Sequence, residues 1–137
     1  MKHPEQVVVD FVNRWSVSQQ DMVYGSFRDN FTEETHWDNV GIGVTKGIAP
    51  AITLMENYQR ATGTDTVKVE ILSLMSSGRT VIIERLDRML DRDKNEFLVL
   101  PCVGVFGIDD HGKIAWWRDY FDSAYMQKSG VTLPVKT

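Results

Sequence analysis

Two carboxylates and one guanidinium stand out by their neighbours. Arg85 and Asp87 lie two residues apart in the apolar stretch Thr80–Leu90, and Asp119 sits between Trp117 and Phe121 in Ile114–Asp122. Successive side chains on a strand point to opposite faces. Arg85 and Asp87 then share a face with Val81, Ile83 and Met89, while Glu84, Leu86 and Arg88 take the other. Both faces are mixed, so the pattern leaves open which one is inside. Asp119 shares its face with Ala115, Trp117 and Phe121, and a carboxylate in that company is either poorly solvated or paired. In a shorter run, Thr35–Val40, Trp37 and Asn39 share one face and His36 and Asp38 the other.

The chemistry open to these groups depends on where they meet. Arginine and aspartate on a strand ordinarily form a solvated ladder of ion pairs, each worth about 0–1 kcal/mol. Asparagine beside a glycine-rich loop is ordinarily turn chemistry. In a shared apolar site the outcome differs. Two carboxylates there cannot both ionise cheaply, so one holds a proton. An arginine between them stays cationic and fixes both through forked hydrogen bonds. One residue type can then supply both a proton donor and a proton acceptor. Other reactive types carry less. His3, His36 and His111 are scattered, and His36-x-Asp38 falls short of the three or four ligands of a closed metal site, so no metal is expected. Cys102 reads as a buried, inert thiol. Gly41, Gly43 and Gly47 form no phosphate-binding fingerprint.

The elements that must position these residues read as an α+β domain spanning 1–137. Val7, Val8, Phe11, Val12 and Trp15 recur at helical spacing after Pro4, which suits a first turn. Ser18 with Asp21 marks the start of a second, short helix to about Arg28. A strand over Thr35–Val40, a glycine loop and a helix over Ile48–Arg60 follow, the helix with Ile48, Ala51, Ile52, Met55 and Tyr58 as its buried stripe. Four strands, Thr66–Met75, Thr80–Leu90, Glu96–Ile108 and Ile114–Asp122, are separated by short polar turns, which predicts an antiparallel meander. Gly104 and Gly107 inside a long strand predict strong curvature. A curved, mostly antiparallel sheet closed by the N-terminal helices makes a deep pocket with apolar walls.

Composition narrows the partners. Fifteen basic and nineteen acidic residues leave a net charge of −4, the wrong sign for a nucleic-acid binder. No apolar run is long enough to span a bilayer. No signal-peptide core follows Met1, and a single cysteine fits a reducing compartment, so a cytoplasmic protein without membrane partners is expected.

Glu84-Arg85-Leu86-Asp87, followed by Gly104-Val105-Phe106, Gly112-Lys113-Ile114 and Trp117-Arg118-Asp119-Tyr120-Phe121-Asp122, resembles the limonene epoxide hydrolase family. The resemblance runs from the first helix to about residue 126. It implies the cone fold shared with nuclear-transport-factor-2-like and SnoaL-like proteins, a homodimer, and cofactor-free hydrolysis of a small apolar epoxide to a vicinal diol. It implies roles too: Asp119 takes a proton from water, Asp87 donates one to the opening epoxide oxygen, Arg85 sits between them, and Asn39 helps hold the water. The family usually has a tyrosine where this chain has Trp37. An indole N–H donates a hydrogen bond but cannot accept one. Met89, Leu100, Phe121 and Tyr58 are the expected substrate-binding walls. Two other readings stay open on the same fold. One is an isomerase- or polyketide-cyclase-like enzyme using Asp119 with Tyr120 or Tyr24; the other is a non-catalytic dimer that binds an apolar ligand.

Overall fold

A computed structural model describes residues 2–128. Helix α1 (Pro4–Asn13) opens with Glu5 N–H bonded to His3 Nδ1 at 3.1 Å and buries Val7, Val8, Phe11 and Val12. A 3-10 turn, Arg14–Ser16, carries Trp15 onward. The next helical segment starts where Ser18 predicts it: Asp21 N–H donates to Ser18 Oγ at 3.0 Å. A wide π turn, Asp21–Gly25, runs into α2 (Ser26–Asn30) and brings Met22 and Phe27, five residues apart, to one wall. The strands are β1 (Phe31–Asn39), β2 (Gly43–Lys46), β3 (Thr66–Ser77), β4 (Thr80–Leu90), β5 (Glu96–Ile108) and β6 (Ile114–Phe121). Helix α3 (Ile48–Thr62) lies between β2 and β3, and α4 (Ser123–Lys128) follows β6. Gly63, at φ +76, ends α3 in the left-handed conformation that glycine adopts without a Cβ penalty.

The six strands form one sheet in the order β2-β1-β6-β5-β4-β3. The meander from β3 to β6 is antiparallel throughout, as its short turns require. The pairing of β1 with β6 is parallel, and the long chain between them makes that possible. Three expectations need correction. The first strand begins at Phe31 rather than Thr35. The loop of glycines contains a short edge strand, β2, which pairs with β1. In the α3 stripe only Ala51 is fully buried. Ile48, Ile52, Met55 and Tyr58 are partly buried against the core, and Met55 and Tyr58 also line a cavity.

Helices pack on one face of the sheet, and Phe11 is the centre of that packing. Its ring meets those of Trp15, Phe27, Phe31, Phe106 and Trp117 at centroid distances of 5.3–6.1 Å. Such contacts add about 0.5–1.5 kcal/mol each beyond burial. Among the described residues no helix is long and apolar enough to cross a membrane.

Candidate active site

Strand alternation decides the question left open at β4. Val81, Ile83, Arg85, Asp87 and Met89 are the buried set, so both charged residues face inward with the core. The reading as a solvated ladder is thereby excluded: Arg85 is 1% exposed, Asp87 7% and Asp119 5%. Strand β5 lies between β4 and β6, and Arg85 must cross it to reach Asp119. Gly104 leaves the path open. A Cβ there would sit 2.8 Å from Arg85 Nη1 and 2.9 Å from Asp119 Oδ1. The internal glycine thus has a local role in addition to any effect on curvature.

Arg85 engages both carboxylates with all three of its nitrogens. Nε donates to Asp87 Oδ1 (2.8 Å) and Nη2 to Asp87 Oδ2 (3.2 Å). Nη1 donates to Asp119 Oδ1 (2.9 Å) and Nη2 to Asp119 Oδ2 (2.6 Å). Trp117 Nε1 is the third donor to the Asp119 carboxylate, 2.8 Å from Oδ1. Asp87 receives instead the weak Cys102 thiol, 3.5 Å from Oδ2. Burial pushes the Asp87 carboxyl above the usual carboxylate range, and the negative charge of Asp119 adds to this. The Arg85 guanidinium opposes that shift without cancelling it. Burial would lower the affinity of Arg85 for its proton, but the charges of Asp119 and Asp87 outweigh it and hold the guanidinium above its ordinary value. Burial also raises the Tyr58 hydroxyl and the Cys102 thiol, so both stay protonated at neutral pH.

Parallel pairing of β1 and β6 supplies the next layer. It sets Trp37 beside Trp117 and Asn39 beside Asp119. The two indoles stack at 4.6 Å and 2°. The Trp117 N–H is engaged on Asp119, whereas the buried Trp37 N–H has no partner among the described residues. The Asn39 carbonyl accepts a turn hydrogen bond from Ile42 N–H (2.8 Å), while Asn39 itself lines the cavity. Turn chemistry and a cavity position therefore coexist at this residue.

All nine residues singled out from the sequence meet in one cavity: Asp119, Asp87, Arg85, Asn39 and Trp37, with Met89, Leu100, Phe121 and Tyr58. About 100 Å3 of it is open to the centres of water-sized molecules. Sequence reasoning missed Trp15, Phe27 and Val67 in its wall. They come from a turn, a helix and the far strand, and no local pattern tells a wall residue from a core residue. Trp117 could have been found, since it stands two residues before Asp119 on the same face.

The family model for the limonene-1,2-epoxide hydrolase catalytic domain matches residues 3–131. The chain belongs to this family. Among curated proteins, the epoxide hydrolase EphG of Mycobacterium tuberculosis (strain ATCC 25618 / H37Rv) is 32% identical over 113 residues, 82% of this chain and 68% of the relative. A solved structure of an M. tuberculosis LEH-like epoxide hydrolase superposes with a TM-score of 0.68 at 27% identity, covering 92% of this chain and 87% of the other. An NTF2-like protein of unknown function from Burkholderia pseudomallei K96243 superposes with a TM-score of 0.74 at 16% identity, over 93% and 97% of the two chains. The last likeness concerns the fold, a curved, unclosed sheet with N-terminal helices, and not the chemistry.

Proposed function

We propose that this protein hydrolyses an apolar cyclic or terpene-like epoxide to a vicinal diol, in one step and without a covalent intermediate. The observation that carries the reading is the buried fork of Arg85 between Asp87 and Asp119 at the wall of an apolar cavity. Ring opening leaves an alkoxide that needs a proton, while the attacking water must lose one. Two carboxylates and one guanidinium are neutral only when one carboxyl is protonated, so the cluster holds an acid and a base together. Asp87, raised by burial, is the acid. Asp119, held by three donors, is the base. The water transfers one proton to Asp119 as it attacks, and its other O–H donates a hydrogen bond to the Asn39 side-chain oxygen and stays on the diol. Met89, Leu100, Phe121 and Tyr58 hold the hydrocarbon.

An isomerase-type site gains little from an arginine locked between two carboxylates, and the fork disfavours that alternative. The expected homodimer is part of the proposal. Leu72, Met75, Ile82, Val103 and Tyr120 are exposed on strands β3 to β6, a face that a second copy would cover. The test is product analysis on cyclic and terpene epoxides in 18O-labelled water. Diol labelled from solvent in a single turnover supports direct attack. Oxygen arriving from an enzyme carboxylate, or no diol from any epoxide, contradicts it.

A further inference from the structure

Strand β5 runs between the two strands that carry the carboxylates, and its buried residues include Leu98, Leu100, Cys102, Gly104 and Phe106. In that row only Cys102 carries a side-chain hydrogen-bond donor. It stands opposite Arg85 of β4 and Phe121 of β6, which sets it diagonally beside Asp87. Its Sγ lies 3.5 Å from Asp87 Oδ2 and 3.6 Å from the Leu100 carbonyl oxygen. The side chain lines the cavity. Burial pushes the thiol up, so it keeps its proton and is inert as a nucleophile. A proton that never leaves sulfur can still turn about the Cβ–Sγ bond, from one oxygen to the other.

Asp87 offers its two oxygens unequally. Oδ1 takes Arg85 Nε at 2.8 Å, whereas Oδ2 takes Arg85 Nη2 at 3.2 Å and the thiol at 3.5 Å. The longer contacts leave Oδ2 the room for a proton. Among the described residues, the charged and titratable groups that face Asp87 are Arg85 on its own strand, Cys102 on β5, Asp119 on β6 and the Tyr58 phenol on α3. Arg85 and Asp119 are locked to each other by the fork, and the Tyr58 hydroxyl donates to Met89 Sδ at 2.8 Å. The thiol has one proton and two acceptors in reach, and one of these acceptors is the carboxyl that must change charge.

We propose that Cys102 is a positioning residue for the acid: its S–H rests on the Leu100 carbonyl while Asp87 is protonated, and turns to Oδ2 as the proton leaves for the epoxide oxygen. This rests on the epoxide-hydrolase reading and adds to it a group that answers the charge appearing on Asp87. Hydrogen bonds to an ionised acceptor are roughly twice as strong as neutral ones, so the thiol favours the carboxylate over the acid. A thiol is a weak donor, so Asp87 still keeps its proton until the epoxide oxygen takes it. The sulfur-bound proton is transferred at no stage.

Cys102→Val keeps the bulk and removes the donor, and Cys102→Ser keeps a donor and strengthens it. Without the donor the Asp87 carboxylate is less favoured. The alkaline limb of kcat/KM should therefore move up by about 0.5–1 pH unit in Cys102→Val, and kcat at neutral pH should fall about three- to tenfold. In Cys102→Ser the limb should lie below the native one, with kcat recovering toward the native value. A limb that stays put in Cys102→Val, or that moves the same way in both variants, overturns the proposal, since a side chain that only fills space gives no opposed shifts. Should Cys102→Val fail to fold, Cys102→Ala is read in the same way. A second measurement needs no turnover. A 13C titration of the Asp87 carboxyl should rank the three proteins Ser, native, Val from lowest to highest, and identical values in all three overturn the proposal. If the native protein hydrolyses no epoxide, the hydrolase reading fails on its own, and the titration still decides the role of the thiol.

Discussion

Asp87 and Asp119 are the same residue type on the same guanidinium, yet they sit at two differently furnished ends of one cavity. At the Asp119 end every partner is a strong donor: two guanidinium nitrogens and the Trp117 indole, all within 2.9 Å. At the Asp87 end the arginine contacts are 2.8 and 3.2 Å, and the remaining partner is a thiol at 3.5 Å. On the proposed mechanism, that difference is what assigns opposite proton roles to identical side chains. It places stronger donors around the group meant to accept and weaker ones around the group meant to keep a proton.

That asymmetry can be broken most completely at its centre. Arg85→Gln should abolish diol formation and lower stability by about 3–5 kcal/mol at neutral pH, because the buried Asp119 carboxylate then lacks its counter-charge. Chemical denaturation and product assay measure the two effects. Asp119→Asn and Asp87→Asn should each reduce kcat by about 10²–10⁴-fold. Asp87→Asn should cost little stability at neutral pH, since the Arg85–Asp119 pair that remains is neutral. Full activity in either variant removes that residue from the mechanism.

The pH dependence sharpens the same contrast. The acid must keep its proton, so the alkaline limb of kcat/KM should lie above the usual carboxylate range and report Asp87. The folded chain binds this proton more tightly than the unfolded one. The stability it contributes is fully present below the unfolded value near pH ~3.9 and is lost as pH rises through the folded value. Melting curves for Asp87→Asn should lack that part of the slope. Gly104→Ala should act through geometry alone. Its methyl group meets Arg85 and Asp119 at under 3.0 Å, and about 1–3 kcal/mol of destabilisation with a lower kcat is expected by denaturation and turnover assays. The smallest effect is expected at the indole stack: Trp37→Phe trims the ring that packs on Trp117 and should lower kcat about tenfold or less, at nearly constant KM.

How much of this was legible in the sequence follows from the range of each interaction. Period-two alternation placed Arg85 beside Asp87 and Trp117 beside Asp119, because those relations are local to one strand. It could not say which face of β4 was inside, since that depends on the helices packed over it. The meander was legible from its short turns, whereas β2 lay hidden in a stretch of glycines whose pairing with β1 is a tertiary matter. The register of β1 on β6, which sets Trp37 against Trp117 and Asn39 against Asp119, joins residues 80 apart and leaves no local trace. Trp15 read as part of a helix stripe and belongs as much to the cavity as to the core. The family resemblance supplied roles for the carboxylates; the clearance at Gly104 and the thiol beside Asp87 became visible only in three dimensions.

The division of labour between the carboxylates is tested most directly by 13C NMR of aspartate-labelled protein, with the two signals assigned through Asp87→Asn and Asp119→Asn. At neutral pH the account predicts a protonated Asp87 carboxyl alongside an ionised Asp119. Finding both ionised, or the proton on Asp119, would contradict it.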